Sequence, residues 1–379
     1  MRKQTITIMI AAGLFFAACA NNSKQEKATN NDTTAEVSRV DSSGLEVVFA
    51  DSTYQLTGVA VTADGRVFAN YPYWLDKHSY SVVEVKNGKP VPYPDETWNS
   101  FKKGEDGQNK FVCVQAVVAD DKGFLWIVDA AGIGLGKVYG KSNKLVKIKL
   151  AANKIERIYR FPESVAGEDS YINDIRIDNT TGYAYMTSSS NGGIVVVNIN
   201  TGDSRMVLHG TPSVLSDTAY HFTQNGKELA GADGHAVKVN SDGIALSPDK
   251  AWLYYKPLTD DKLYRISTRL LQDFKTAEKV IADSVQDLGH FITTDGMEFD
   301  KAGNLYLGDL EHYSIVKITP DLKMQTLVTD TNRLVWPDSY SISDDGYLYI
   351  STSQIQQMPW FNNNQNLTKY PYYIYRLKI

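Results

Sequence analysis

From Leu45 onward the chain alternates apolar and polar residues in short runs, and turn residues separate the runs. One two-run unit recurs six times. The copies are "LTGVAVTADGRVFAN" from Leu56, "VQAVVADDKGFLWIVD" from Val114, "INDIRIDNTTGYAYMTS" from Ile172, "SDGIALSPDKAWLYYKP" from Ser241, "TDGMEFDKAGNLYLGD" from Thr294 and "PDSYSISDDGYLYIST" from Pro337. Each opens with a period-2 segment, turns at Asp, Asn, Gly or Pro, and returns in a segment rich in Tyr, Trp, Val and Ile. That is the pattern of a β-hairpin. The intervals between starts leave room for two more strands, such as "SVVEVKNG", "KLVKIKLAANKIERIYRF" and "SIVKITPDLKMQTLV". Four strands repeated six times predict an all-β fold, a six-bladed β-propeller. "YYIYRLKI" at the C-terminus supplies a third strand to the sixth blade. "LEVVFAD", Leu45 to Asp51, supplies the fourth, so N- and C-terminal strands close the ring and leave no unprotected edge pair.

The first 44 residues follow other rules. "MRKQTITIMIAAGLFFAAC" carries Arg2 and Lys3, then an apolar run ending in small residues before Cys19. It reads as a secretory signal, too short for a spanning helix. "FAAC" resembles a bacterial lipobox, which implies that Cys19 is lipidated and becomes the mature N-terminus. Residues 20–44 are polar and aperiodic, a disordered tether. The expected organisation is therefore a lipoprotein signal over 1–19, a tether over 20–44 and one propeller over 45–379. The expected location is extracytoplasmic, lipid-anchored to the outer membrane and facing the periplasm or the surface. The only other cysteine, Cys113 in "KFVCVQAVV", reads as a small core residue without a disulfide partner.

Composition narrows the partners. The 379 residues carry 39 Lys+Arg against 44 Asp+Glu, and no basic block stands out. Nucleic acid is not expected as a partner. A small molecule is expected, with the membrane touched only through the anchor, and the chain is expected to be a monomer. "AAGIGLGKVYGKS" fails the spacing of a phosphate-binding loop and reads as a surface loop.

Propeller geometry then selects the candidate site. The first strand of every blade lines the axis, so the residues just before these strands share one mouth of the channel. They are Thr57 or Gly58, Gln115, Asn173 with Asp174, Asp242, Asp295 and Asp338. Loops between second and third strands open on the same face and bring Tyr71, Tyr73, Trp74, Trp360 and Phe361 to the rim. Polar groups in a concavity with aromatic walls describe a small-molecule site. Taken singly, each Asp or Asn is equally well a turn cap. Three carboxylates brought together repel, and need a cation, shared protons or a cationic ligand.

"YINDIRID", "DGIALSPDKAWLYYKPLTDDKLYRIST", "DGMEFDKAGNLYLGDL" and "WPDSYSISDDGYLYIST" resemble the major royal jelly protein/Yellow family. The likeness runs over about Leu45 to Ile379. It implies the propeller fold, and it suggests binding of a small aromatic or amine-bearing molecule with dopachrome-tautomerase-like isomerase activity. A more distant resemblance is to the gluconolactonase/senescence marker protein propellers, which implies a calcium or other divalent site at Asn173, Asp242 and Asp295. The first-blade Glu of that pattern is absent, since Thr57-Gly58 stands there.

The preferred expectation is an exported binder or isomerase. Asp242 and Asp295 would be catalytic, and Gln115, Asn173, Asp338, Trp74, Trp336 and His221 would contact ligand, with His221 and His290 at the rim. The alternatives are a metal-dependent lactonase and a non-enzymatic surface scaffold. One expectation is testable directly: Cys19→Ser should move the protein from the membrane fraction to the soluble fraction. A wild-type protein that is already soluble, with a mature N-terminus other than Cys19, would rule the anchor out.

Overall fold

The computed structural model describes residues 44–379 apart from Asp76; the signal, the tether and Cys19 lie outside the described residues. Six antiparallel four-stranded sheets follow one another in chain order. Blade 1 is Gly58–Val61, Val67–Asn70, Val82–Lys86 and Lys89–Pro92. Blade 2 is Val114–Ala119, Phe124–Asp129, Lys144–Lys149 and Lys154–Arg160. Blade 3 is Ile172–Asp178, Tyr183–Ser188, Ile194–Asn198 and Ser204–Val207. Blade 4 is Ser241–Leu246, Trp252–Pro257, Lys262–Ser267 and Gln286–His290. Blade 5 is Met297–Phe299, Leu305–Asp309, Ser314–Ile318 and Met324–Thr329. Blade 6 takes Pro337–Ile342, Tyr347–Thr352 and Tyr372–Lys378 from the C-terminal end. Its outer strand is Glu46–Asp51, which runs antiparallel to Tyr372–Lys378.

The first strands touch their neighbours in sequence, and the first strand of blade 6 touches that of blade 1, so the ring is closed. The hydrophobic pattern follows from this radial order. Ser241–Leu246, against the axis, is buried at every position, whereas the outer strand Met324–Thr329 is mostly exposed. The core lies in the wedges between blades. Trp126, Val128 and Leu145 of blade 2 meet Ile175, Ala184, Met186 and Val195 of blade 3. Tyr185, Val196 and Val207 of blade 3 meet Ile244, Leu253 and Tyr255 of blade 4. Each such aliphatic side chain contributes about 1.5–3 kcal/mol on burial.

The aspartates fall into two groups. Asp120, Asp178 and Asp300, in the turns between first and second strands, accept backbone N–H groups of the residues that follow. These are ordinary turn caps. Asp242, Asp295 and Asp338 make no bond of that kind among the described residues, so their side chains are free for other uses.

Two long connections sit on the mouth where the first strands begin. One, residues 208–240, joins blades 3 and 4 and carries a small hairpin, Thr223–Gln224 with Lys227–Glu228. The other, residues 353–371, joins the second and third strands of blade 6.

Deleting Tyr372–Ile379 removes the buried Tyr372, Ile374, Tyr375 and Leu377 and strands the N-terminal segment. The loss should exceed about 3 kcal/mol, a large part of the stability of an ordinary domain. Thermal melting should show a lower midpoint; an unchanged midpoint would mean that the seam does not hold the ring.

Candidate functional site

The polar ring is built by β-bulges. In blades 2, 3, 4 and 6 the pairing of first and second strands slips by one residue, after Val114, Ile172, Ser241 and Pro337. The residues next in the chain are Gln115, Asn173, Asp242 and Asp338. They were expected just before the strands; they lie inside them, one residue past the start. A bulge tightens local twist and re-aims a side chain, so four of the six blades use the same device to point a polar group at the axis.

Glycine completes the device in blades 4 and 5. A Cβ on Gly243 would stand 2.5 Å from the Asp295 carbonyl oxygen, and one on Gly296 would stand 2.6 Å from that of Asp338. Gly296 N–H donates to the Asp338 carbonyl at 2.8 Å. The recurrent Asp-Gly is thus two requirements in one dipeptide. Asp faces the axis, and Gly lets the next blade's backbone come close.

A cavity of about 270 Å³ opens above this ring. Gln115, Asn173, Asp242 and Asp295 line its floor; Trp74, Tyr171, Trp336, Trp360 and Phe361 form aromatic walls. Trp74 and Trp360 meet at 5.8 Å between ring centres, tilted by 54°. Val237 and Val239, from the blade 3–4 connection, complete the wall, as does Leu135 from the loop read as a surface segment. Beneath the ring, Arg176 reaches across the axis. It pairs with Asp174 at 2.8 Å and Glu298 at 3.3 Å and donates to the Met297 carbonyl.

The floor holds a pair of buried acids. The Asp242 and Asp295 carboxyls lie together on this floor and influence each other's ionisation, so a proton shared between them would relieve their repulsion. Trp336 donates its indole N–H to Asp295 at 2.7 Å. Burial pushes the Asp295 carboxyl up to about 6, with the Trp336 and Asp242 hydrogen bonds and the Lys256 charge pulling it back. Burial first, and then the Asp295 charge, hold Asp242 well above the usual carboxylate range. Asp338 is raised in the same direction, by burial and then by Asp295. It does not line the cavity, and one of its oxygens has no hydrogen-bond partner among the described residues.

Lys256 lies directly across the strand pair from the Asp242–Gly243 bulge. Its ammonium is fully buried and donates to the carbonyls of Pro257 at 2.7 Å and Asp260 at 2.6 Å. Burial pulls it down to about 8, against the attraction of Asp260 and Asp242. Nothing in the repeat pattern singles it out, because it occupies an ordinary second-strand position.

The histidine expectation needs correction. His221 is 72% exposed and bonds Glu228 at 2.8 Å, and it does not line the cavity. His290 is likewise exposed, paired with Asp261. Both rings were placed by loop position alone, and each has a local carboxylate that holds it in solvent. Cys113 is fully buried, and burial pushes its thiol up to about 12, as suits a core residue.

Of the divalent-cation pattern the first-blade carboxylate is missing, since Thr57-Gly58 stands there. The described residues contain no group of three or more His, Cys, Asp and Glu side chains arranged to hold a metal. Asp295 already accepts from Trp336. In blade 1 the hydroxyl of buried Thr57 accepts the Asn70 amide at 3.0 Å.

Fold and site together define a six-bladed propeller with an acid-floored, aromatic-walled axial cavity. The family model for major royal jelly proteins matches residues 112–379. The chain belongs to the major royal jelly protein family. It is 28% identical to major royal jelly protein 3 of Apis mellifera over 63% of this chain and 47% of that one. It is 24% identical to protein yellow of Drosophila melanogaster over 58% of this chain and 42% of that one. The chain thus spans about half the length of these relatives. Among solved structures it is similar in fold to a gluconolactonase from Xanthomonas campestris, with TM-score 0.53, 11% identity and 88% of each chain covered. A luciferin-regenerating enzyme has TM-score 0.52 at 12% identity, over 88% of this chain and 95% of that one.

The raised acids fix the sign of a pH effect. A carboxyl that holds its proton more tightly when folded destabilises the fold as pH rises from its unfolded value, near 4, through its folded one. For Asp295, raised from 3.8 to about 6, the cost at neutral pH is about 3 kcal/mol. Asp295→Asn, which can still accept from Trp336, should melt higher than wild type at pH 7, and the difference should shrink toward pH 4. Melting curves that stay parallel across this range would show that the acid is not strained.

Proposed function

We propose that the axial cavity binds a small aromatic amine and that the Asp242–Asp295 pair moves a proton on the bound ring. The observation that carries this reading is two buried, proton-retaining carboxyls, Asp242 and Asp295, on the floor of a cavity with aromatic walls. An ammonium group placed on that floor would gain a charge-assisted bond to Asp295, and the ring would stack between Trp74, Trp336 and Trp360.

The pair offers an acceptor beside a donor. Asp295 is closer to the ordinary carboxylate range and acts as base; Asp242 keeps the proton and acts as acid. In a tautomerisation Asp295 takes a proton from a ring carbon, and the C–H electron pair moves into the ring. A ring carbonyl oxygen takes the proton from Asp242. Passage of the new proton from Asp295 to Asp242 resets the pair, with no atoms gained or lost. Lipidation at Cys19 would place this activity outside the cytoplasm.

Calorimetry with 2-phenylethylamine tests the binding step. Wild type should bind it and should not bind phenylacetate, which has an anionic head. Asp295→Asn should weaken amine binding about tenfold or more. Lactone hydrolysis that depends on an added divalent cation, without amine binding, would overturn this reading in favour of a hydrolase. Absence of both would leave a scaffold.

A further inference from the structure

A hydrogen-bond chain in the cavity wall has a forced direction. The Trp74 indole N–H can only donate, and it donates to the Tyr171 hydroxyl at 2.8 Å. Tyr171 therefore has its own proton to give. Two acceptors are near: the Gln115 side chain at 2.8 Å and the Cys113 sulfur at 3.9 Å. The amide oxygen at 2.8 Å is the stronger and better placed acceptor. The Gln115 carbonyl oxygen thus faces Tyr171, and its NH2 is turned the other way. Gln115 is part-exposed and lines the cavity, and its amide nitrogen has no partner among the described residues.

Every member of the chain is held. Trp74 and Tyr171 are buried, and a Cβ on Gly132 would stand 2.8 Å from the Tyr171 ring, so the ring is packed hard on that side. Gln115 sits in the blade 2 bulge, where the backbone direction is fixed. The neighbouring Asn173 donates its amide to Ser189 at 2.8 Å, so its carbonyl oxygen is the remaining polar end.

We infer that the Trp74–Tyr171–Gln115 chain fixes an amide N–H donor in the cavity wall, and that this donor reads an oxygen acceptor on the ring of the ligand. The inference rests on the aromatic-ligand reading of the same cavity and adds a specificity-determining residue to it. A ligand whose ring lacks the oxygen leaves Gln115 desolvated and unpaired, and sites built this way reject the deoxy analogue strongly. The acceptor is a hydroxyl, an ether or a carbonyl, since all three offer the same lone pairs.

The experiment compares tyramine, 4-methoxyphenethylamine and 2-phenylethylamine by calorimetry. Wild type should prefer the two oxygenated amines about tenfold or more. The methoxy compound separates roles, because it accepts and cannot donate. If it binds like tyramine, the donor is on the protein. Gln115→Leu should abolish the preference and bring all three to about equal affinity. Trp74→Phe keeps an aromatic wall and frees Tyr171 from its fixed direction, so the preference should fall partway. Equal affinities in wild type, or an undiminished preference in folded Gln115→Leu, would overturn the assignment. An uncharged pair, 4-ethylphenol and ethylbenzene, runs alongside. Preference for the phenol with no amine binding would support Gln115 and sink the amine reading. No binding by any compound would sink both.

Discussion

The ring closes only because neighbouring first strands approach each other backbone to backbone at the mouth of the axis. Polar side chains on second strands stitch this contact. Asn70 donates to the carbonyl of Gln115 at 3.1 Å, Thr187 to that of Asp242 at 2.8 Å, and Ser351 to that of Thr57. Between blades 5 and 6 the backbone does it directly, through Gly296. Two of the carbonyls held in this way, those of Gln115 and Asp242, belong to residues whose side chains form the polar floor. Closure of the fold and placement of the site therefore share contacts at Gln115 and Asp242, and a change that loosens either of those seams also moves a floor residue.

Position opposite the bulge also shows where the ring departs from its own rule. Blades 3 and 6 place Thr187 and Ser351 there, and blade 4 places Lys256; blade 1, which has no bulge, pairs Asn70 with Gly58. A lysine is too long to serve as the same stitch, and its ammonium turns instead to the Pro257 and Asp260 carbonyls. Burying an ammonium without a direct ion pair is costly unless negative charge lies near. Asp260 and Asp295 supply it. Below, Arg176 is balanced by Asp174 and Glu298. The axis is thus acidic in composition and still close to charge balance, provided Asp242 and Asp338 keep their protons.

The architecture was legible because its information is local. Period-2 alternation and Asp, Asn or Gly turns name the hairpins, and repetition names the blade count. The ring positions were legible for the same reason, as they recur at one place in each copy. The bulge that moves them into the strand was not legible, because one extra residue leaves the apolar pattern almost unchanged. Tyr171, Ser189 and Lys256 were not found either. Tyr171 meets Trp74 and Gln115, 97 and 56 residues away, Ser189 meets Asp242, 53 residues away, and Lys256 depends on a pairing register, none of which a linear pattern carries. The wall residues Val237 and Val239 belong to a connection with no counterpart in other repeats. His221 was assigned from that same connection, where no repeat could check it, and a local pair with Glu228 decides its place.

The two kinds of aspartate give the last step. Asp120, Asp178 and Asp300 hold turns and keep their carboxylates in contact with backbone N–H groups. Replacing such a cap by Asn would change little, because both side chains accept the same bonds. Asp242, Asp295 and Asp338 have no such use. They are buried together, each raised by burial, and one oxygen of Asp338 is left without a partner. The fold would gain stability by losing a charge there. A cluster that costs stability and is built by a dedicated backbone device is how a protein holds reactive or binding groups in place. The structural turn requirement is already met by the other three aspartates, and of the buried acids Asp242 and Asp295 face the cavity, where a cationic ligand would relieve the cost of burying them.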